Sequence, residues 1–286
     1  MSITSYKKLY DEAVTNGKES TYTWRKVPNL VTTQGIWFDL SMSSGMPAPQ
    51  YYAATPLTAT PMSFSSDRGI FAGYDVSPAT KYLAKTVAIT GSAVTPLTMY
   101  LLDYLMYYPF IDEGTTDPQD LDNTNTLPRY TDGRGVQVMA VSQGSRTGGQ
   151  SFYITYTNQD GVAGRISKTV IENTAAANGH IVSSSLATAG ASGCFIPLQD
   201  GDTGVRSIEQ VTMLGVDVGL FALVLVKPLA TTQIRENTAA NEKNYFLQGT
   251  FPPEIKNNAY LNWICIPNGS LSGAVLFGDL QHIWVE

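Results

Sequence analysis

Ser151-Phe-Tyr-Ile-Thr-Tyr-Thr157 alternates apolar and polar side chains, Asn158-Gln-Asp-Gly161 follows, and a second extended run occupies Ala163 to Ile171. That pattern predicts an antiparallel hairpin. Successive side chains of a strand point to opposite faces, and Asn, Asp and Gly accept the backbone angles of a tight turn. The pattern continues on both sides. Val136 to Ser142 alternates upstream; His180 to Ser183, Gly193 to Pro197, Val205 to Leu214, Gly219 to Val226, Ala259 to Pro267 and Ala274 to Val285 follow downstream. Leu220-Phe-Ala-Leu-Val-Leu-Val226 is apolar on both faces and reads as a central strand. Eight or nine strands with no intervening helix of 10–15 residues predict a mainly β chain. The expected architecture is an antiparallel β-sandwich, jelly-roll-like, its core drawn from Val211, Met213, Phe221, Leu223, Leu225, Trp263, Ile266 and Leu276.

Residues before 136 read differently. Ile3, Tyr6, Leu9, Tyr10, Ala13 and Val14 share one helical stripe that ends at Gly17. Such a helix docks on its own domain or on a neighbouring subunit, so Tyr6, Leu9 and Tyr10 are candidate interaction residues. Residues 20–75 carry Pro28, Pro47, Pro49, Pro56 and Pro61, which lack the amide donors of a central sheet. The segment should run over a surface, as an arm reaching a neighbour or as a long irregular loop, with Tyr51 and Tyr52 as subunit contacts or a sugar-stacking platform. Thr86 to Thr90 reads as a strand. Thr95 as N-cap, Pro96 as first helical residue, an apolar body and Pro109 as stop predict a buried helix near 96–108, with Asp103 its lone polar interruption. A polar connector, residues 112–135, follows. The expected division is an N-terminal helix and arm over 1–34 and a sandwich domain over 35–286, with an insertion at about 92–135.

Composition narrows the function. The chain has 286 residues, 31 Thr and 22 Ser, but only 18 Lys+Arg, 2 His and 2 Cys, with net charge −6. Carriers of proton transfer and metal chemistry are scarce, and no basic run favours nucleic acid. No apolar run reaches bilayer length, so no membrane partner is expected; the N-terminal sequence has no signal-peptide core, which suggests synthesis in the cytoplasm. Cys194 and Cys265 read as buried free thiols. His180 and His282 have no flanking motif for a Cys–His nucleophile pair. Asp200-Gly-Asp202 resembles the start of a calcium loop but lacks the closing acidic ligands, leaving Asp200 and Asp202 as weak metal candidates and a β-turn as the simpler reading. Asp117, Asp120 and Asp122 could bind a hard cation or supply paired carboxylates for glycoside hydrolysis; solvated loop acids are the simpler reading. Gly144-Ser-Arg-Thr-Gly-Gly149 lacks the Lys-Ser/Thr of a phosphate-binding loop. No catalytic residue and no cofactor are assigned.

Several strings resemble a family of structural proteins of tailed bacteriophages. They are Leu101-Leu-Asp-Tyr-Leu, Tyr108-Pro-Phe-Ile-Asp, Leu121-Asp-Asn-Thr, Thr126-Leu-Pro-Arg-Tyr-Thr-Asp-Gly-Arg-Gly-Val-Gln-Val-Met, Tyr156-Thr-Asn-Gln-Asp-Gly-Val, Asp200-Gly-Asp-Thr-Gly-Val-Arg206 and Val224-Leu-Val-Lys-Pro-Leu, spread over roughly residues 95–230. The resemblance implies a virion component, an accessory protein of the head, with no catalytic residue to carry over. The expected function is therefore a capsid decoration or cement protein, not an enzyme. Its partners would be the major capsid protein or other virion proteins, and it would form a homo-oligomer, a trimer by preference. A tail, neck or baseplate component that binds carbohydrate is the first alternative, and a polysaccharide-degrading enzyme the second.

Overall fold

Nine strands of six or more residues carry the fold among the described residues: β1 (Glu19–Val27), β2 (Thr80–Thr90), β3 (Leu97–Asp112), β4 (Gln137–Ser142), β5 (Ser151–Asn158), β6 (Val205–Met213), β7 (Leu220–Ile234), β8 (Leu261–Pro267) and β9 (Leu276–Val285). The structure, a computed structural model, describes residues 5–184, 193–248 and 251–286. Ile3 of the N-terminal stripe lies outside them.

The strands form three antiparallel sheets. The central one runs Phe38–Asp39, β8, β3, β7, β4, with Thr60–Pro61 also paired to β3. A second runs Asn241–Asn244, β2, β9, β1, Ser44–Met46. A third runs Arg165–Ile166, β5, β6, Gln119–Asp120. Alternation along the central strands sends side chains to two faces. On one face, Leu97, Met99, Leu101, Trp263 and Cys265 pack against Trp24, Leu83, Leu276 and Leu280 of the second sheet. Further along that face, Tyr108, Ile111, Val138 and Leu223 pack against Phe152, Ile154, Ile208 and Val211 of the third. The chain is thus a mainly β, sandwich-like fold in which the second and third sheets share one face of the central one.

The helix expected near 96–108 is instead β3, a 16-residue strand hydrogen-bonded on both sides, to β7 and to β8. An apolar run without alternation carries no period, so it fits a central strand as well as a buried helix. Its residue types break the tie. Thr98, Tyr100, Tyr104, Tyr107, Tyr108, Phe110 and Ile111 are β-branched or aromatic and pack well on a pleated surface. Pro109 stops no helix; it sits where the β3–β7 register slips between Phe221 and Leu223, and Phe110 beside it has φ 61°. A bulge is where a strand tolerates proline.

Two further expectations change. The proline-rich segment does run over a surface, but the surface is its own central sheet. Trp37, Met42, Tyr52 and Met62 cover Tyr104, Tyr107, Met139, Val224 and Ile264 on the face turned away from the second and third sheets. Residues 1–34 are also not a detachable arm. β1 pairs residue by residue with β9 from Glu19 to Lys26 and with Ser44–Met46 on its other side. Deleting 1–34 would remove an interior strand of the second sheet.

Candidate functional site

The N-terminal helix α1 (Tyr6–Tyr10) is capped by the Ser5 hydroxyl accepting from the Lys8 amide, and continues as a π-helical turn over Asp11–Thr15. Its apolar residues divide between two directions. Leu9 and Ala13 pack on Tyr82, Ala84 and Ile283 of the second sheet. Tyr6, Tyr10 and Val14, spaced by four, face outward and are 70%, 61% and 59% exposed. The Tyr6 hydroxyl donates to the Phe246 carbonyl at 3.0 Å, which places the helix beside a turn whose Leu247 is 79% exposed. Of the interaction candidates, Tyr6 and Tyr10 are thus surface residues and Leu9 is the anchor.

Tyr51 and Tyr52 part company. Tyr51 is exposed, whereas Tyr52 is fully buried against Tyr107, so the pair forms no stacking platform. The Tyr52 hydroxyl donates to the Asp39 carboxylate, which also accepts from Tyr104 Oη at 2.7 Å, Ser41 Oγ at 2.7 Å and the Ser41 amide at 2.8 Å. Tyr104 belongs to β3 and the other donors to the covering segment. This buried carboxylate therefore ties the cover to the central sheet.

The weak metal pair also resolves. Asp202 spends both oxygens on protein donors: Tyr156 Oη at 2.6 Å, Asn158 Nδ2 at 2.8 Å and the Arg165 guanidinium at 2.9 and 3.2 Å. Asp200 is exposed and pairs with Lys168 at 2.9 Å. The site is a braced β-turn. In the acidic connector, Asp120 accepts from Gln210 Nε2 at 2.7 Å and Asp122 from the Thr124 amide at 2.9 Å; both serve local structure.

No hydrogen bond joins a cysteine to a histidine among the described residues. His180 Nε2 accepts from the Thr33 amide at 3.0 Å and its Nδ1 meets the Ala177 carbonyl at 2.8 Å. Both thiols are free and buried, and burial pushes Cys194 up to about 12. His282 is buried in β9 with neither ring nitrogen partnered; burial, then the nearby Lys81 charge, push it down to about 3. A histidine held neutral has a defined signature. Below its ordinary value of 6.5 the unfolded chain takes a proton that the folded chain refuses. Its contribution therefore makes stability fall as pH drops from 6.5 toward 3, by up to about 1.4 kcal/mol per pH unit. Comparing denaturant unfolding of the wild type and His282→Leu across that window should show a shallower slope in the variant; identical slopes would refute the assignment.

A buried ionic cluster has no signature in the sequence. Glu113 follows β3, Asp217 lies in the turn before β7, Glu172 follows the short strand Val170–Ile171, and Arg146 lies between β4 and β5. Arg146 donates from Nε to Glu113 Oε1 at 2.8 Å, from Nη2 to Glu172 Oε2 at 2.6 Å and from Nη1 to the Asn173 carbonyl at 2.6 Å. All three of these charged side chains are 0% exposed. The Asp217 amide donates to the Glu113 carbonyl at 2.8 Å, fixing the third carboxylate alongside. The Gly144–Gly149 loop, unsuited to phosphate, serves this cluster. Gly148 has φ 68°, and a Cβ there would sit 2.0 Å from the Asn173 carbonyl oxygen, so only glycine lets the loop close onto Asn173.

No helix among the described residues is long and apolar enough to cross a membrane. No protein-family model matches the chain, and no curated protein sequence matches it.

Proposed function

We propose that this chain is a structural virion protein of a tailed bacteriophage that decorates or cements the capsid shell. In this reading the rigid three-sheet body is a spacer and the N-terminal helix is its contact element. One observation carries the reading most: the outward stripe Tyr6, Tyr10 and Val14 beside Leu247. A helix that already packs Leu9 and Ala13 on its own sheet gains nothing in the isolated chain by presenting a second apolar face to water. Aromatic and aliphatic anchors of this kind form the dry centre of protein interfaces. The natural occupant is the major capsid protein. A stable contact buries roughly 1,600 Å² in total, and a closed homo-oligomer, with a trimer preferred, would multiply modest contacts through avidity. The resemblance of residues 95–230 to tailed-phage structural proteins points the same way.

The test uses a triple variant, Tyr6→Ser, Tyr10→Ser and Val14→Ser, in the full chain. All three side chains are exposed and only the solvent-exposed Tyr6–Phe246 hydrogen bond is lost, so the circular dichroism should stay that of the wild type and the unfolding midpoint should shift little. Binding to undecorated capsids, measured by cosedimentation, should weaken by at least about tenfold, the loss expected from removing even one anchor of hot-spot strength. A folded variant that saturates capsids as the wild type does would remove the helix from the account.

A further inference from the structure

We infer that Glu113, Glu172 and Asp217 form a binding site for one calcium ion, which clamps the end of the central sheet to the third sheet. One carboxylate oxygen from each lies within 4.8 Å of the others. Ligands of a single calcium ion sit 2.3–2.6 Å from it, so two of them can be up to about 5 Å apart. The set is all oxygen and all carboxylate, which selects a hard cation over a transition metal.

Unpartnered buried oxygens make this more than an acidic cluster. Glu113 Oε2, Glu172 Oε1 and Asp217 Oδ2 have no hydrogen-bond partner. The Glu113 and Glu172 side chains are completely buried, and their other oxygens are held by Arg146, which fixes both carboxylates in place. Buried acceptors without donors are costly, and native proteins rarely leave three side by side. Charge gives the same answer: three carboxylates against one guanidinium leave two negative charges, the amount a divalent cation neutralises. Asp112 adds to the negative field at Glu113.

Space at the site depends on Gly219, whose carbonyl accepts from the Glu113 amide at 3.1 Å. A Cβ there would meet Glu113 Oε2 at 2.7 Å and Arg146 Cβ at 2.6 Å. The ligands come from three separate connections, so the ion would tie the turn between β6 and β7 to the ends of β3 and Val170–Ile171. This inference is independent of the shell reading.

Equilibrium dialysis of the EDTA-treated full chain against radioactive calcium tests it. One ion should bind per chain, and thermal unfolding in calcium should shift upward by about 5 °C relative to EDTA, at a concentration about 100 times the dissociation constant. Magnesium, which demands near-ideal octahedral geometry, should give a much smaller shift. Asp217→Asn is the diagnostic variant: Asp217 is only half-buried and its Oδ1 accepts from the Val218 amide, so the fold should survive. Its calcium affinity should fall at least tenfold, whereas Asp200→Asn should bind as the wild type does. Three results would overturn the inference: no stoichiometric calcium on a folded wild type at millimolar concentration, equal response to magnesium, or Asp217→Asn binding unchanged.

Discussion

Arg146→Met is expected to destabilise the protein by about 3–5 kcal/mol or more, the largest effect of any single substitution considered, because it strands charge that the fold cannot expose. The guanidinium is the only cation hydrogen-bonded to Glu113 and Glu172 among the described residues, and all three side chains are fully buried. Methionine matches the length of the arginine stem but brings no donor. Two glutamates and Asp217 would then face one another in a medium that solvates charge poorly. The Asn173 carbonyl would also lose the Nη1 donor that binds it at 2.6 Å. Urea unfolding of the EDTA-treated proteins measures the effect. A loss under 1 kcal/mol would mean that the carboxylates escape to water and that the cluster is not the clamp described. Added calcium should narrow the gap between variant and wild type, since a divalent ion supplies the missing positive charge.

The second large effect concerns Asp103, the polar interruption in the apolar run of β3. Its carboxylate accepts a two-pronged contact from Arg129, Nη2 to Oδ1 at 2.6 Å and Nε to Oδ2 at 2.9 Å. The Tyr260 amide of the segment leading into β8 also donates to it, at 3.1 Å. Arg129 also donates to the carbonyls of Met62, from Nη1 at 3.1 Å, and Tyr104, from Nη2 at 2.9 Å. The pair lies on the face of β3 between Leu101, which packs toward the second sheet, and Leu105, which packs toward the third. Four pieces of chain therefore meet at one ion pair. Arg129→Met should cost about 3–5 kcal/mol, most of it the penalty of an unpaired buried carboxylate. Adding Asp103→Leu should recover part of the loss, because an apolar pair avoids the desolvation term. Recovery should be incomplete, since the Tyr260 amide and two carbonyls would stay without partners. A double variant no more stable than Arg129→Met, measured by urea unfolding, would show that the backbone contacts and not the charges dominate.

These two clusters also show where the sequence is readable. Strands β4 to β9 alternate or carry long apolar runs bounded by Gly, Asn and Pro, and that local signal suffices for a mainly β sandwich. β3 resisted because a strand buried on both faces has no period, and Thr95-Pro96 before it imitates a helix start. The four tyrosines within Leu97–Asp112 were the usable counter-signal. The proline-rich segment was legible as a surface layer, but composition cannot say whose surface it covers. The ionic cluster was invisible for a different reason. Its members fall at the ends of separate elements across residues 113–217, so no spacing connects them until the sheets stack. Asp200 and Asp202 showed the opposite behaviour: close spacing suggested a metal loop, while Arg165, Tyr156 and Asn158, distant in sequence, had already saturated Asp202. The exposed stripe on α1 was half-legible, since six apolar residues announced a docking helix without saying that Leu9 and Ala13 would be used internally while Tyr6, Tyr10 and Val14 stay exposed.

The central claim is that this β-body works by static attachment to a phage shell through the aromatic face of its first helix. A particle reconstruction tests it most directly. The account predicts density for the three-sheet body repeated over the head lattice, with Tyr6, Tyr10 and Val14 seated against the major capsid protein. Density confined to the tail, or a head lattice bare of this chain in particles that contain it, would contradict the account.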